Sequence, residues 1–337
     1  MTTTRDDQGD PPTFESWDEY WAVRHNAALW EPFFAKALRS AELSNSEIVM
    51  LRPSQYPTAR AGDAIVTIYP GTLISGSSSA MELEAHSLVA GRGLPIPELL
   101  AHGVFPHQGG QSSWSWLIES AATGSPWSRS VDALTDEQKK RASADLGATL
   151  RRLHETPHEA ATVLASEWER FSDLVADELN HLGTNDARLA AFPTSFQPAL
   201  RDLAAATLGA LDTSAPTKLL HGDVHGDNVF VDPSAGEVTG LIDLNEMYAG
   251  HPWYDLADAS FRLLHGAPGL IDSLLDGYGL DPSTHDQAAV QLLGWALLHD
   301  FDGLTATIQH RGLPAGDTIE ELAAHLTGFD LESGSPP

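Results

Sequence analysis

Cysteine is absent from this chain. Disulfide frameworks, thiolate metal sites and cysteine nucleophiles are therefore excluded together, while the redox state of the compartment stays open. Lysine is almost absent too: only Lys36, Lys139, Lys140 and Lys218 occur, following Ala, Gln, Lys and Thr. A P-loop nucleotide site needs a Gly-Lys pair opening a helix, so that class is excluded. No G-x-S-x-G elbow is present, since Gly76-Ser77-Ser78-Ser79-Ala80 fails at its last position, and no G-x-G-x-x-G follows a strand-like run. Serine-hydrolase and dinucleotide-binding readings lose their main signals. No window approaches the ~18 consecutive apolar residues of a membrane span, and the N-terminus MTTTRDDQGDPPTF offers no apolar signal segment. A cytoplasmic protein with no membrane partner is expected.

What is present fits a soluble globular protein. The 337 residues exceed what one hydrophobic core usually serves, which predicts two lobes, and 42% hydrophobic with 20% charged residues suits a chain that folds by itself. Against 47 acidic side chains stand 19 Lys and Arg, a net charge of −28. Such a surface repels phosphate backbones and anionic lipid headgroups, so no nucleic-acid partner is expected. General solubility accounts for the acidity first, and a cationic substrate is only mildly favoured.

Residues 1–13 are polar, with Pro11 and Pro12, and are expected to be disordered. From Trp17 to Ala41 the apolar positions recur at helical spacing, which predicts two short helices with Pro32 as the first residue of the second. Glu47–Leu51 and Ala64–Tyr69 read as an antiparallel strand pair joined by a connection at Arg52–Asp63. A Gly- and Ser-rich loop over Gly71–Ser79 leads to a helix over Ala80–Ala90, then to strands at Glu98–Val104 and Trp114–Glu119. Thr123–Ser130 reads as a connector that divides a lobe over 14–122 from one over 123–329. Beyond it Thr135-Asp136-Glu137-Gln138 has capping-box spacing and opens a helix with the apolar stripe Leu146, Leu150 and Leu153. Helices dominate from there, and residues 330–337 read as a loose tail.

Two polar constellations stand out. His154-Glu155-Thr156-Pro157-His158 matches HExxH formally, but that motif needs both imidazoles on one uninterrupted helix, and Pro157 inside the spacing removes a helical hydrogen bond. It reads as a helix C-terminus and not as a zinc site. Leu219–Asp243, LLHGDVHGDNVFVDPSAGEVTGLID, combines several constraints. Asp223 and Asn228 lie five apart, and short strands at Val229–Val231 and Val238–Ile242 flank a turn that would return Asp243 beside Asn228. A kinase-like phosphoryl-transfer site needs an acid to take the acceptor proton, an Asn five residues on for a metal, and a second acid past a hairpin for the metal on the phosphates. His221 and His225 are assigned to holding the loop through hydrogen bonds to backbone, and Asp227 to an exposed turn.

At these residues the sequence resembles the aminoglycoside phosphotransferase and choline-kinase-like family of small-molecule kinases. His221–Asn228 is similar to that family's HGD-x-H-x-x-N loop, Leu241-Ile242-Asp243 to its metal-binding Ile-Asp, and Ala249–Ala257 to its AGDPxYDLA segment, with His251 where Asp is usual. Leu94–Leu100, Trp116–Ser120 with Gly124, and LGATLRRLH at Leu146–His154 resemble further family segments, so the likeness runs roughly from Glu47 to Leu264. The resemblance implies an α+β, bilobal protein-kinase-like fold: a small N-lobe with an antiparallel sheet and a larger, mainly helical C-lobe. It implies Asp223 as catalytic base, Asn228 and Asp243 as Mg²⁺ ligands, Asp255 as a structural anchor of the loop, and nucleotide binding around Thr67, Glu82, Ile118, Glu119 and Ser120. Thr67 stands where the family has a phosphate-gripping Lys, with Glu82 as its helical partner; Arg52, Arg60 or a metal held more fully by Asp243 and Asn228 are the candidates to take its place.

The function implied is ATP- or GTP-dependent phosphorylation of a small-molecule hydroxyl. A sugar-bearing antibiotic, of aminoglycoside or nucleoside type, leads as acceptor, which would confer resistance on a monomer or homodimer's host. Thr67 motivates the alternative of a pseudokinase-like binding protein without turnover, and a metabolite kinase for choline or homoserine differs from the leading reading only in acceptor.

Overall fold

A computed structural model describes residues 11–43, 46–51, 55–70, 78–105, 114–183, 187–212 and 214–329. The chain divides into two compact units, one of residues 1–90 with 97–121 and the other of 91–96 with 122–337.

The first unit opens with helices α1 (Trp17–Val23) and α2 (Ala27–Ser40). Five strands follow, β1 (Ile48–Met50), β2 (Thr58–Ala61), β3 (Ala64–Tyr69), β4 (Leu99–Val104) and β5 (Ser115–Ser120), with α3 (Ser78–Val89) between β3 and β4. They form one antiparallel sheet of order β1-β2-β3-β5-β4. Alternation sorts its side chains onto two faces. Ala59, Val66, Ile68, Trp116 and Ile118 pack with Trp30, Phe34 and Leu38 of α2. On the opposite face Tyr69 and Leu117 meet Tyr56 and Leu83 of α3.

The structure departs from the sequence pattern at β2 and at Pro32. The segment read as a connection at 52–63 contains β2, which lies between the two strands expected to pair directly. Its sequence Thr-Ala-Arg-Ala is weakly strand-forming alone, and its backbone pairing on both sides decides the matter. Pro32 is not the start of a helix but lies inside α2. The hydrogen bond that proline removes is outweighed by burial of Trp30, Phe33, Phe34, Ala37 and Leu38 on the same helix. The expectations for residues 1–10, most of the 71–79 loop, Arg52 and the 330–337 tail lie outside the described residues.

In the second unit the segment expected as a plain connector carries β6 (Ser125–Pro126) and α4 (Trp127–Ser130). Helix α5 (Asp136–His154) starts at a capping box: Thr135 Oγ1 accepts from the Gln138 N–H at 3.3 Å, and Gln138 Oε1 from the Thr135 N–H at 2.9 Å. Leu146, Leu150 and Leu153 are buried along it. Helices α6 (Leu164–Gly183), α7 (Ala187–Ala190) and α8 (Gln197–Gly209) precede β7 (Lys218–Leu220), and β8 (Val229–Asp232) and β9 (Glu237–Leu241) form a hairpin extended by β6. After β10 (Tyr248–Gly250), which pairs with β7, come α9 (Trp253–Asp258), α10 (Leu270–Tyr278), α11 (His285–Leu297), α12 (Leu304–Arg311) and α13 (Ile319–Thr327). No helix of the described residues is long and apolar enough to cross a membrane.

Helix α10 lies directly on α5. A Cβ built on Gly277 would stand 1.9 Å from the Ala144 carbonyl oxygen, a backbone atom that cannot rotate away. Gly277→Ala should therefore force the helices apart and cost about 3 kcal/mol, read as a lower urea midpoint with an unchanged slope.

Candidate functional site

The loop after β7 is fixed from below by one carboxylate. Asp255, fully buried at the start of α9, accepts from the backbone N–H of His221 at 2.7 Å and of Gly222 at 2.9 Å. Its Oδ2 also faces His154 Nε2 at 3.0 Å, and His154 Nδ1 lies 2.9 Å from the Tyr278 hydroxyl. Burial pushes the Asp255 pKa up, but the hydrogen bond and charge of His154 outweigh this and leave it below the usual carboxylate range. His154 is thus committed at the end of α5, while His158 binds the Thr156 carbonyl oxygen and the Thr217 hydroxyl. The HExxH spacing holds no metal geometry. Gly222 has φ +83°, and a Cβ there would stand 2.0 Å from the Glu246 carbonyl oxygen, so only glycine fits this turn.

His221 closes the loop from within. Its Nδ1 accepts from the Asp223 N–H at 3.3 Å, so the proton sits on Nε2, which donates to the Ile242 carbonyl at 3.0 Å. His225 Nδ1 accepts from the Asp227 N–H at 3.2 Å, which places its Nε2 proton toward Asp223 Oδ2, 3.5 Å away. Asp227 is exposed and accepts from the Ser128 hydroxyl. Asn228 turns its amide Nδ2 to the Asp223 carbonyl at 3.0 Å and to Asp223 Oδ2 at 3.1 Å. The hairpin returns the chain so that the Ile242 N–H donates to the Asn228 carbonyl at 3.0 Å, which sets Asp243 next to this pair. Asp243 itself is left-handed, φ 69°, an uncommon conformation for a non-glycine residue, and Asn245 Nδ2 donates to its Oδ1 at 2.6 Å.

Arg262 is the functional candidate that the sequence reading missed. The helix begun by α9 continues as a π-helical turn over Ala259–Leu263, a rarity that recurs at functional sites. From it Arg262 Nη1 donates to Asp223 Oδ1 at 2.7 Å and to both Asp258 oxygens at 3.1 Å, while the guanidinium lies 4.4 Å over the Phe301 ring. Burial pushes the Asp223 pKa up, yet hydrogen bonding and charge from His225 and then Arg262 hold it well below the usual range. Asp258, wholly buried, moves the other way: burial raises it against the pull of Arg262, and the charge of Asp223 adds to the rise. One guanidinium serves two carboxylates whose affinities for protons are driven apart. An Arg within the apolar run Ala257–Leu264, four residues after Asp258, was the available signal.

In the first unit Thr67 is half-buried on the α3 side of the sheet, register partner of Thr58, whose hydroxyl lies 3.4 Å from its own. Glu82 of α3 accepts a hydrogen bond from the Tyr69 hydroxyl, two residues along the same face of β3. Glu119 bonds His86 Nε2 at 2.8 Å, and Ser120 Oγ accepts from the Glu98 N–H at 2.9 Å. The Ile118 side chain faces the other way, into the core with α2. Arg60 is exposed, and its Nε donates to the Gly62 carbonyl at 2.8 Å.

Residues 56–292 match the model of the phosphotransferase enzyme family. The chain belongs to that family. Solved structures with the same fold include aminoglycoside-3'-phosphotransferase of type VIII, with TM-score 0.53 and 23% identity over 78% of this chain and 97% of that one. Another is APH(3'')-Id from Streptomyces rimosus in complex with ADP and streptomycin, with TM-score 0.52 and 20% identity over 80% and 98%. A third is the GDP and kanamycin complex of APH(2'')-IIIa, with TM-score 0.55 and 15% identity over 82% and 96%. The α+β kinase-like fold is therefore that of the aminoglycoside phosphotransferases. Among curated proteins, a lysine-specific demethylase of Arabidopsis thaliana, JMJ21, is 24% identical over 204 residues, half of this chain. The chain spans about a fifth of that protein, 22% of its length.

The buried histidines of the second unit carry a stability consequence. Burial lowers the pKa of His221, and burial together with the Arg262 charge pushes His299 down to about 3. Below the ordinary histidine value of about 6.5 the unfolded chain binds protons at these two positions that the folded chain does not, so they lower stability as pH falls, while the raised Asp258 acts in the opposite sense. From pH 7 to 5 His299 should cost about 2 kcal/mol. Urea unfolding across this interval reads the slope, and His299→Gln should make it shallower. The depressed Asp223 and Asp255 act in the same direction only in stronger acid, as pH falls below the unfolded carboxylate pKa of about 3.9.

Proposed function

We propose that this chain is an O-phosphotransferase that moves the γ-phosphoryl group of ATP or GTP to a hydroxyl of a small molecule. The observation that carries this reading is the joining of Asp223 to Asn228 through the amide, with Asp243 set beside them by the Ile242–Asn228 backbone pairing. Asp223, ionised and held between Arg262, His225 and Asn228, accepts a hydrogen bond from the acceptor hydroxyl and so orients its oxygen toward the phosphorus. Its low proton affinity makes it a weak base in the ground state, so the proton crosses late, as the phosphorus–oxygen bond forms. Arg262 keeps Asp223 in place and charged. Asn228, whose Nδ2 is spent on Asp223, would offer its side-chain Oδ1 to a metal, and with Asp243 supply the all-oxygen set that Mg²⁺ prefers. Mg²⁺ held there would neutralise charge on the phosphoryl oxygens.

The first unit supplies nucleotide contacts through Thr67, Glu82, the Ile118–Ser120 strand and Arg60. The acceptor class is a sugar-bearing antibiotic, with resistance as the consequence; relatives of this fold were solved with streptomycin or kanamycin bound, and the net charge of −28 favours a polycation. Specificity constants measured over a panel of aminoglycosides, nucleoside antibiotics, choline and homoserine test this. An antibiotic should exceed choline and homoserine by at least tenfold, and the reverse order would transfer the chain to metabolite kinases. Thr67 in the expected Lys position, with Glu82 bonded instead to Tyr69, favours a second reading, a binding protein without turnover. Nucleotide binding without transfer to any acceptor would establish it.

A further inference from the structure

Away from Asp223, the first unit gathers three metal-ligating side chains in one place. Glu82, His86 and Glu119 each offer a ligand atom, and these atoms all lie within 4.8 Å of one another. Glu82 and His86 are four residues apart on α3 and so share one helix face. Glu119 comes from β5, where it is the register partner of Ile65, on the sheet face that carries Thr67 and Tyr69. Glu82 is 2% and His86 6% exposed. The Tyr69 hydroxyl donates to Glu82 Oε2, the kind of outer hydrogen bond that orients a ligating carboxylate.

We propose that Glu82, His86 and Glu119 form a site for one divalent transition cation such as Zn²⁺, Mn²⁺ or Co²⁺. The donor set decides the class: an imidazole nitrogen beside carboxylate oxygens suits first-row transition ions better than Mg²⁺ or Ca²⁺. Two ligands one helical turn apart with a third from another element is an arrangement that leaves coordination positions open to water. The ion would also bring positive charge to the sheet face of Thr67, the position where the family resemblance leads to the expectation of a Lys. That consequence rests on the phosphotransfer reading; the site does not.

The test uses the full chain stripped of metal by a chelator, with Co²⁺ as probe and no nucleotide, so that failure of the phosphotransfer reading cannot affect it. One equivalent of Co²⁺ should develop visible ligand-field bands. His86→Gln and Glu119→Gln, each checked for folding by circular dichroism, should weaken that equivalent by about tenfold or more, while Asp243→Asn leaves it unchanged. Electron spin-echo modulation of the Mn²⁺-loaded wild type and Asp243→Asn needs no change within the cluster and should show one coordinated imidazole nitrogen. Absence of the Co²⁺ equivalent, bands indifferent to both Gln substitutions, or no nitrogen-coordinated Mn²⁺ in either the wild type or Asp243→Asn would overturn the proposal and leave the cluster as hydrogen-bonded ties between α3 and the sheet.

Discussion

Asp223→Asn is expected to lower kcat by about 10³-fold, within the range for loss of a positioned acid–base group, while KM for nucleotide changes little. The amide keeps the size of the carboxylate, so Arg262 Nη1, now 2.7 Å from Asp223 Oδ1, retains an acceptor. What disappears, in the proposed reaction, is the charge that would align an incoming hydroxyl and the oxygen that would take its proton, together with the acceptor of Asn228 Nδ2. Steady-state kinetics with the best acceptor, together with a thermal melt to show that folding is retained, make the comparison. A loss confined to KM would mean that Asp223 binds acceptor but does not act in the transition state.

Asp255→Ala should produce the largest structural effect. The substitution removes the acceptor shared by the His221 N–H, the Gly222 N–H and His154 Nε2, all in a region closed to water. Donors left unpaired in such a place cost about 1–3 kcal/mol each, and breaking a buried charged network costs about 3–5 kcal/mol in all. Differential scanning calorimetry should register a fall in Tm of about 10 °C. Activity should fall more steeply than stability, because the loop that carries Asp223 loses its anchor. Asp255→Asn keeps one acceptor oxygen and should recover part of both.

The Leu219–Asp243 stretch is legible from sequence because its geometry is local. A five-residue spacing lets Asn228 reach Asp223, and a hairpin has little choice but to return Ile242 to Asn228. Helix α5 is equally plain, since capping box and apolar stripe point the same way. What sequence hides are choices made by packing. Thr67 and Tyr69 share one face of β3 by alternation, and only the placement of α3 decides that Tyr69 meets Glu82. Arg262 lies 39 positions from Asp223, and a π-helical turn rotates it into reach, which no periodic pattern announces. Strand β2 is recognised only through its neighbours on both sides.

The phosphoryl transfer proposed for Asp223, Asn228 and Asp243 goes beyond nucleotide binding. Its most direct measurement is a single-turnover reaction with γ-labelled ATP or GTP, Mg²⁺ and excess acceptor, following label into the acceptor by mass spectrometry. The wild type should deliver one phosphoryl group per nucleotide to a single acceptor hydroxyl, and Asp223→Asn should deliver about 10³-fold less in the same time. Equal labelling by both proteins, or nucleotide bound by the wild type with no label passed to any acceptor, would contradict it.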